Sequence, residues 1–131
     1  MLRFDYMPSD FHPIYLFLGD AADLTALANL LRKFSQSARE VSVVDGIPGS
    51  KSRTGLTLVP ADDEFGMREV NGSFKWKLNA WQAARIAERI DLLTPEENKS
   101  GSDLLEVGSD GEIPVKVSRG EFTDDFLVSK R

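Results

Sequence analysis

Five residues, Ile14, Tyr15, Leu16, Phe17 and Leu18, place no polar side chain on either pleat face. As a strand they predict a segment covered on both sides or set in the middle of a sheet. A helix follows directly. Asp20 is a good N-cap acceptor, Asp23 adds negative charge to the first turn, and Leu24, Leu27, Leu31 and Phe34 recur on one helical face. Arg32 and Lys33 oppose the negative end of its dipole. Upstream, Leu2, Phe4 and Tyr6 alternate with Arg3 and Asp5, which predicts a short strand with one apolar face. The two-proline connector after it lets this strand turn back beside residues 14–18.

Downstream, residues 41–44 predict a strand ended by Asp45-Gly46, and residues 56–59 another ended by Pro60. The intervening stretch 46–53, Gly-Ile-Pro-Gly-Ser-Lys-Ser-Arg, has the composition of a mobile basic loop. Residues 61–64 read as an acidic turn. Asn71-Gly72 is a hairpin signal before residues 73–78, where Phe74, Trp76 and Leu78 alternate with Lys75 and Lys77. Asn79 and Gln82 have capping-box spacing, and Ala83, Ile86, Ile90 and Leu93 supply a second helical stripe that Pro95 closes. Past a polar linker at 96–102, residues 104–107 predict a strand, Ser109-Asp110-Gly111 a turn, and Ile113, Val115 and Val117 the inner face of a last hairpin strand. The tail is polar except for Phe122, Phe126, Leu127 and Val128.

Two copies of strand-helix-strand-strand can be drawn in this order, at 14–60 and 73–119. Counted from the caps Asp20 and Asn79, Leu24 matches Ala83, Leu27 matches Ile86, Leu31 matches Ile90 and Phe34 matches Leu93; Leu56 then falls on Val115 and Leu58 on Val117. Side-chain identity between the halves is nearly absent, so the match is one of pattern alone. The expected fold is a single α+β domain over 1–131 with a flexible polar C-terminal tail from about residue 120. It is a two-layer sandwich, a largely antiparallel sheet of about five to seven strands with two helices on one face.

The same count places Tyr15 and Phe17 where the second half has Phe74 and Trp76, facing the helices. Ile14, Leu16 and Leu18 are then left on the other face; an offset of one residue would exchange the two sets. Either way an apolar set lies where the second half presents Lys75 and Lys77, and a contiguous exposed patch of that kind is uncommon on a monomer.

The composition, 41% hydrophobic and 28% charged in 131 residues, suits one globular domain. The chain has no cysteine, which excludes disulfides, thiolate catalysis and Cys-ligated zinc and agrees with a reducing cytoplasm, the expected location. The longest apolar run, residues 14–18, is too short for a bilayer, and the N-terminus lacks the basic start and apolar core of a secretory signal, so no membrane association is expected. A net charge of -5 argues against general affinity for nucleic acid or anionic lipid.

Candidate chemistry is sparse. His12 is the lone histidine and cannot make a metal site or a catalytic relay by itself. Residues 46–52 follow a strand and carry Gly49, Lys51 and Ser52, but lack the spacing of a phosphate-binding loop and the helix that should follow it. Asp62, Asp63 and Glu64, like Glu121, Asp124 and Asp125, lack the alternating ligand positions of a calcium loop and read as solvated acids. No catalytic residue, metal or cofactor is expected. The leading expectation is a small acidic non-enzymatic protein that binds another protein or itself, with Ile14, Tyr15, Leu16, Phe17 and Leu18 as the interface and a homodimer as the favoured form. One alternative is a small-molecule or catalytic site near 46–53, using Lys51, Arg53 and the acids near Asp62. The other is single-stranded RNA on a sheet face shared by Lys75, Lys77 and Lys116, although no RNP1 pattern accompanies them.

Overall fold

Two capping boxes set the frame. The Asp20 carboxylate accepts the Asp23 N–H at 2.9 Å while Asp23 accepts the Asp20 N–H at 2.9 Å, opening α1 (Ala21–Ser37). The bond from the Asp23 N–H holds the Asp20 carboxyl below its ordinary range. Asn79 and Gln82 exchange the same two bonds at 2.7 and 3.0 Å ahead of the second long helix, Ala80–Asp91. α1 stops at Ala38, whose left-handed backbone (φ 51°) lets its N–H reach the Phe34 carbonyl.

The computed structural model describes residues 1–8, 13–95 and 101–120. Before α1 come β1 (Arg3–Met7) and β2 (Ile14–Gly19); after it come β3 (Val41–Ser42), the single turn α2 (Val43–Gly46) and β4 (Thr57–Pro60). The second half runs β5 (Gly66–Val70), β6 (Ser73–Leu78), α3 (Ala80–Asp91), β7 (Gly101–Leu105) and β8 (Val115–Arg119). Asn71 and Gly72 take φ of 53° and 84°, both positive as the tight turn between β5 and β6 requires. Among the described residues no helix is long and apolar enough to cross a membrane.

The strands form two four-stranded sheets, ordered β1-β2-β8-β7 and β3-β4-β6-β5. This corrects the expected single sheet of five to seven strands with two helices on one face. The pairing is largely antiparallel, as expected, in four of six strand pairs, while the central pair of each sheet, β2 with β8 and β4 with β6, is parallel. Each half of the chain contributes to both sheets: β3 and β4 leave the sheet of β1 and β2, and β7 and β8 return to it. The two parallel pairs share one register. Phe17 lies opposite Val117 and Leu16 opposite Lys116; at the positions that correspond by the cap count, Trp76 lies opposite Leu58 and Lys75 opposite Thr57.

The inner faces of both sheets and the two long helices enclose one core. Tyr15 and Phe17 point into it, fully buried, where Phe17 stacks on Trp76 at 5.6 Å between ring centroids and Tyr15 meets Phe74 at 5.3 Å. Leu24, Leu27 and Leu31 from α1 and Ile86 and Ile90 from α3 fill the remainder. Leu16 and Leu18 lie on the opposite face of β2, yet are only 3% and 5% exposed, with Met7 packed against them.

Two local readings also change. Residues 41–44 are strand only at Val41 and Ser42: the Val43 N–H still bonds Leu56, then the Ile47 N–H closes a helical turn on the Val43 carbonyl. β5 was not foreseen, because an edge strand in which only Gly66 and Met67 are buried gives no alternation to read.

Candidate interaction surface

The stretch 46–53, expected to be mobile, is held along β1. The Lys51 N–H donates to Leu2 and the Phe4 N–H to Lys51, at 2.9 and 3.1 Å. Asp5, only 5% exposed, accepts the Arg53 N–H at 2.7 Å, the Thr54 N–H at 3.3 Å and the Ser52 hydroxyl at 3.3 Å. The Tyr15 hydroxyl donates to the Gly55 carbonyl at 2.9 Å and lies 3.2 Å from the Thr54 hydroxyl. Burial pushes the Tyr15 phenol up to about 12, so it stays neutral and serves as a tether, not a base. Serine and threonine look mobile by composition; here Ser52 and Thr54, with the Arg53 N–H, supply the donors that a buried carboxylate needs.

Lys51 and Arg53 remain exposed at this edge. A cleft of about 250 Å³ lies between the C-terminal part of α1 and the turn from β6 to α3, bordered by Phe34, Pro60, Asp62 and Asn79. Lys51 and Arg53 are not among the residues that line it. Asp62, Asp63 and Glu64 are exposed, with Glu64 3.4 Å from the Lys77 ammonium. Lys75 and Lys77 belong to the sheet of β6 and Lys116 to that of β8, so the three do not share the face proposed for RNA. The nearby aromatics Phe74 and Trp76 are 4% and 1% exposed and give no stacking platform. His12, Glu121, Phe122, Asp124, Asp125, Phe126, Leu127 and Val128 lie outside the described residues.

Other polar side chains hold loops. Arg68 donates to the carbonyls of Phe65 and Asp110 and to the Ser109 hydroxyl, tying β5 to the loop before β8. The Glu112 carboxylate accepts three successive N–H groups, from Val107, Gly108 and Ser109, at 3.1, 2.6 and 2.9 Å. Arg119 donates to the carbonyls of Leu93 and Pro95 beyond the end of α3. Among the described residues no three His, Asp or Glu side chains converge as metal ligands would.

One face of α3 is turned to water. Trp81 is 72% exposed and Leu92, which caps the helix, 70%; Arg85 and Glu88 between them are exposed as well. Spacings of four, three and four residues align these side chains along one stripe of the helix. Ion pairs fix both flanks. Arg89 grips the Asp103 carboxylate with two bonds, at 3.0 and 2.7 Å, and the Leu104 carbonyl at 2.9 Å, while Arg32 of α1 pairs with Asp91. A shallow cleft of about 270 Å³ opens beside the stripe, between Trp81, Arg85 and Arg89 and the segment of Glu106 and Val107 after β7.

The first half provides an internal comparison. Counted from the caps, α1 carries Ala22, Ala26, Asn29 and Lys33 at the places of Trp81, Arg85, Glu88 and Leu92. Nothing in the shared architecture therefore requires a large apolar side chain there. The sequence contained this signal, since Trp81 and Leu92 fall off the stripe of Ala83, Ile86 and Ile90, but it becomes informative only once that stripe is known to be the buried one. The strand Ile14, Tyr15, Leu16, Phe17 and Leu18, expected as the interface, offers less open apolar surface: Ile14 is half-buried and the other four are buried. No protein-family model, curated protein or solved structure matches the chain.

Proposed function

We propose that this chain is a non-enzymatic protein-binding module that docks another polypeptide through the outward face of α3. The observation that carries the reading is Trp81, 72% exposed on a helix whose equivalent in the first half has Ala22 at that position. Leaving an indole in water forgoes the burial of one of the largest apolar side chains, and tryptophan with a neighbouring arginine is the composition of interface hot spots. Two ion pairs flank the stripe, Arg32 with Asp91 and Arg89 with Asp103. Asp5, Tyr15, Arg68, Glu112 and Arg119 are engaged in tethering loops, which supports a binding role over a catalytic one.

A site-directed cross-link tests this. A benzophenone amino acid in place of Trp81 is compared with the same probe in place of Ala22, in native lysate. The expected result is one defined adduct from position 81 that is absent from position 22, and that is competed by excess wild-type chain but not by Trp81→Asp. The same adduct from both positions, or equal competition by Trp81→Asp, would overturn the reading.

A further inference from the structure

We propose that the polypeptide docked on α3 is a second copy of this chain, in a two-fold dimer with the two α3 helices antiparallel. This rests on the binding role assigned to that face and goes further by naming the partner. The exposed stripe is its own complement. A two-fold axis lying between the two helices, level with the midpoint of Ile86 and Ala87, places Trp81 against Leu92 of the second copy and Arg85 against Glu88 of the second copy, and the symmetry repeats both contacts. Each apolar end meets an apolar end, and each charge meets its opposite. Swapping the identities at 85 and 92 alone would set leucine against Glu88 and remove the ion pair, so this complementarity is a property of the order Trp, Arg, Glu, Leu and not of their composition.

Geometry allows the contact. The stripe from Trp81 to Leu92 is about 16 Å long at 1.5 Å per residue, enough for three turns of one helix to lie along another. Near the axis the small side chain of Ala84, half-buried beside the stripe, permits close approach of the two backbones. Such a contact buries on the order of 1,000 Å² in total, at the low end for a specific interface, so the dimer should be followed over a wide concentration range. The first half of the chain cannot offer the same pairing: Ala22 would meet Lys33, and Ala26 would meet Asn29.

The test is sedimentation of the full chain from roughly 1 μM to 1 mM with three charge variants, the ends of that range spanning affinities that matter for a weak dimer. Arg85→Glu and Glu88→Arg each set like charges together twice across the axis, and each is expected to weaken self-association by on the order of tenfold or more. Mixing the two single variants restores opposite charges at both contacts, so heterodimers should form near wild-type concentrations, and the double variant Arg85→Glu with Glu88→Arg should self-associate again. Both substituted positions are exposed, and unchanged melting of the variants at low concentration separates lost association from lost folding. A wild type that stays monomeric throughout overturns the proposal; if the position-81 cross-link then still captures a different polypeptide, the docking face stands and only the identity of the occupant falls. A dimer indifferent to both charge reversals overturns the α3 pairing in favour of another surface.

Discussion

Tyr15 and Asp5 decide, at the scale of single side chains, whether the chain between α2 and β4 is a loop or a strut. The phenol lies in a fully buried side chain and its proton is given to the Gly55 carbonyl, so the neutral form is the one the fold accepts. With its pKa raised from 10.0 to about 12 by burial, the group adds stability that is fully present below pH 10 and is lost as pH rises toward 12, because only the unfolded chain releases the proton in that window. Two units correspond to about 3 kcal/mol at most, at roughly 1.4 kcal/mol per unit. We therefore expect Tyr15→Phe to cost about 1–2 kcal/mol at neutral pH, for the lost hydrogen bond and the Gly55 carbonyl left without it, and to flatten the alkaline limb of the stability curve. Urea titrations of wild type and variant at pH 8, 10 and 11 check this; parallel alkaline losses in the two proteins would show that other groups control the limb. Sequence could not reveal the tether, because the donors to Asp5 come from residues 52–54, far along the chain, and carry the same serine and threonine that a free loop would carry.

At the scale of elements, legibility followed the period of the buried face. Both helices could be read because an N-cap signal and a 3.6-residue stripe coincide, and the stripe residues Leu27, Leu31, Ile86 and Ile90 are all 5% exposed or less. Truncating Leu31 or Ile86 to Ala should therefore each cost about 2–5 kcal/mol, from lost transfer energy and an unfilled cavity. Thermal melts check it: a midpoint within a degree of wild type for both variants would mean the helices do not pack as described, since each kcal/mol moves a domain of this size by about 3–5 °C. β6 was legible for the same reason, its lysines alternating with Phe74, Trp76 and Leu78. β5 and the turn of α2 were not, since one is an edge strand and the other is decided by a single residue, Val43, turning into the core. The candidate surface on α3 stood in plain sequence, but as residues outside a stripe, and its meaning came from the contrast with α1.

For the whole molecule, what sequence could not supply was which strands are neighbours. Period-2 patterns fix the face a residue takes but not the strand beside it, and the cap count, whose offset the two parallel registers share, was equally compatible with one continuous sheet. The structure instead exchanges β4 and β8 between halves, so that β2 gains its parallel neighbour from the end of the chain and β6 gains its own from before the midpoint. Cutting the exposed turn between Asp62 and Asp63 would leave two pieces, 1–62 and 63–131, each with a hairpin lacking its inner partner, a helix lacking the other helix, and one side of the Phe17–Trp76 stack. Pieces of roughly half this size bury too small a fraction of their surface to compensate for those losses. Each fragment as a monomer should therefore show no near-ultraviolet dichroism from fixed aromatics, and an equimolar mixture should recover it as a one-to-one complex by sedimentation. Because the parallel registers correspond, a fragment can also satisfy β2 with β4 of a second identical fragment, and a folded homodimer of 1–62 would agree with the same exchange. A monomeric fragment with a cooperative thermal transition is the result that would contradict it, since that requires β2 or β6 to complete its sheet from within its own half.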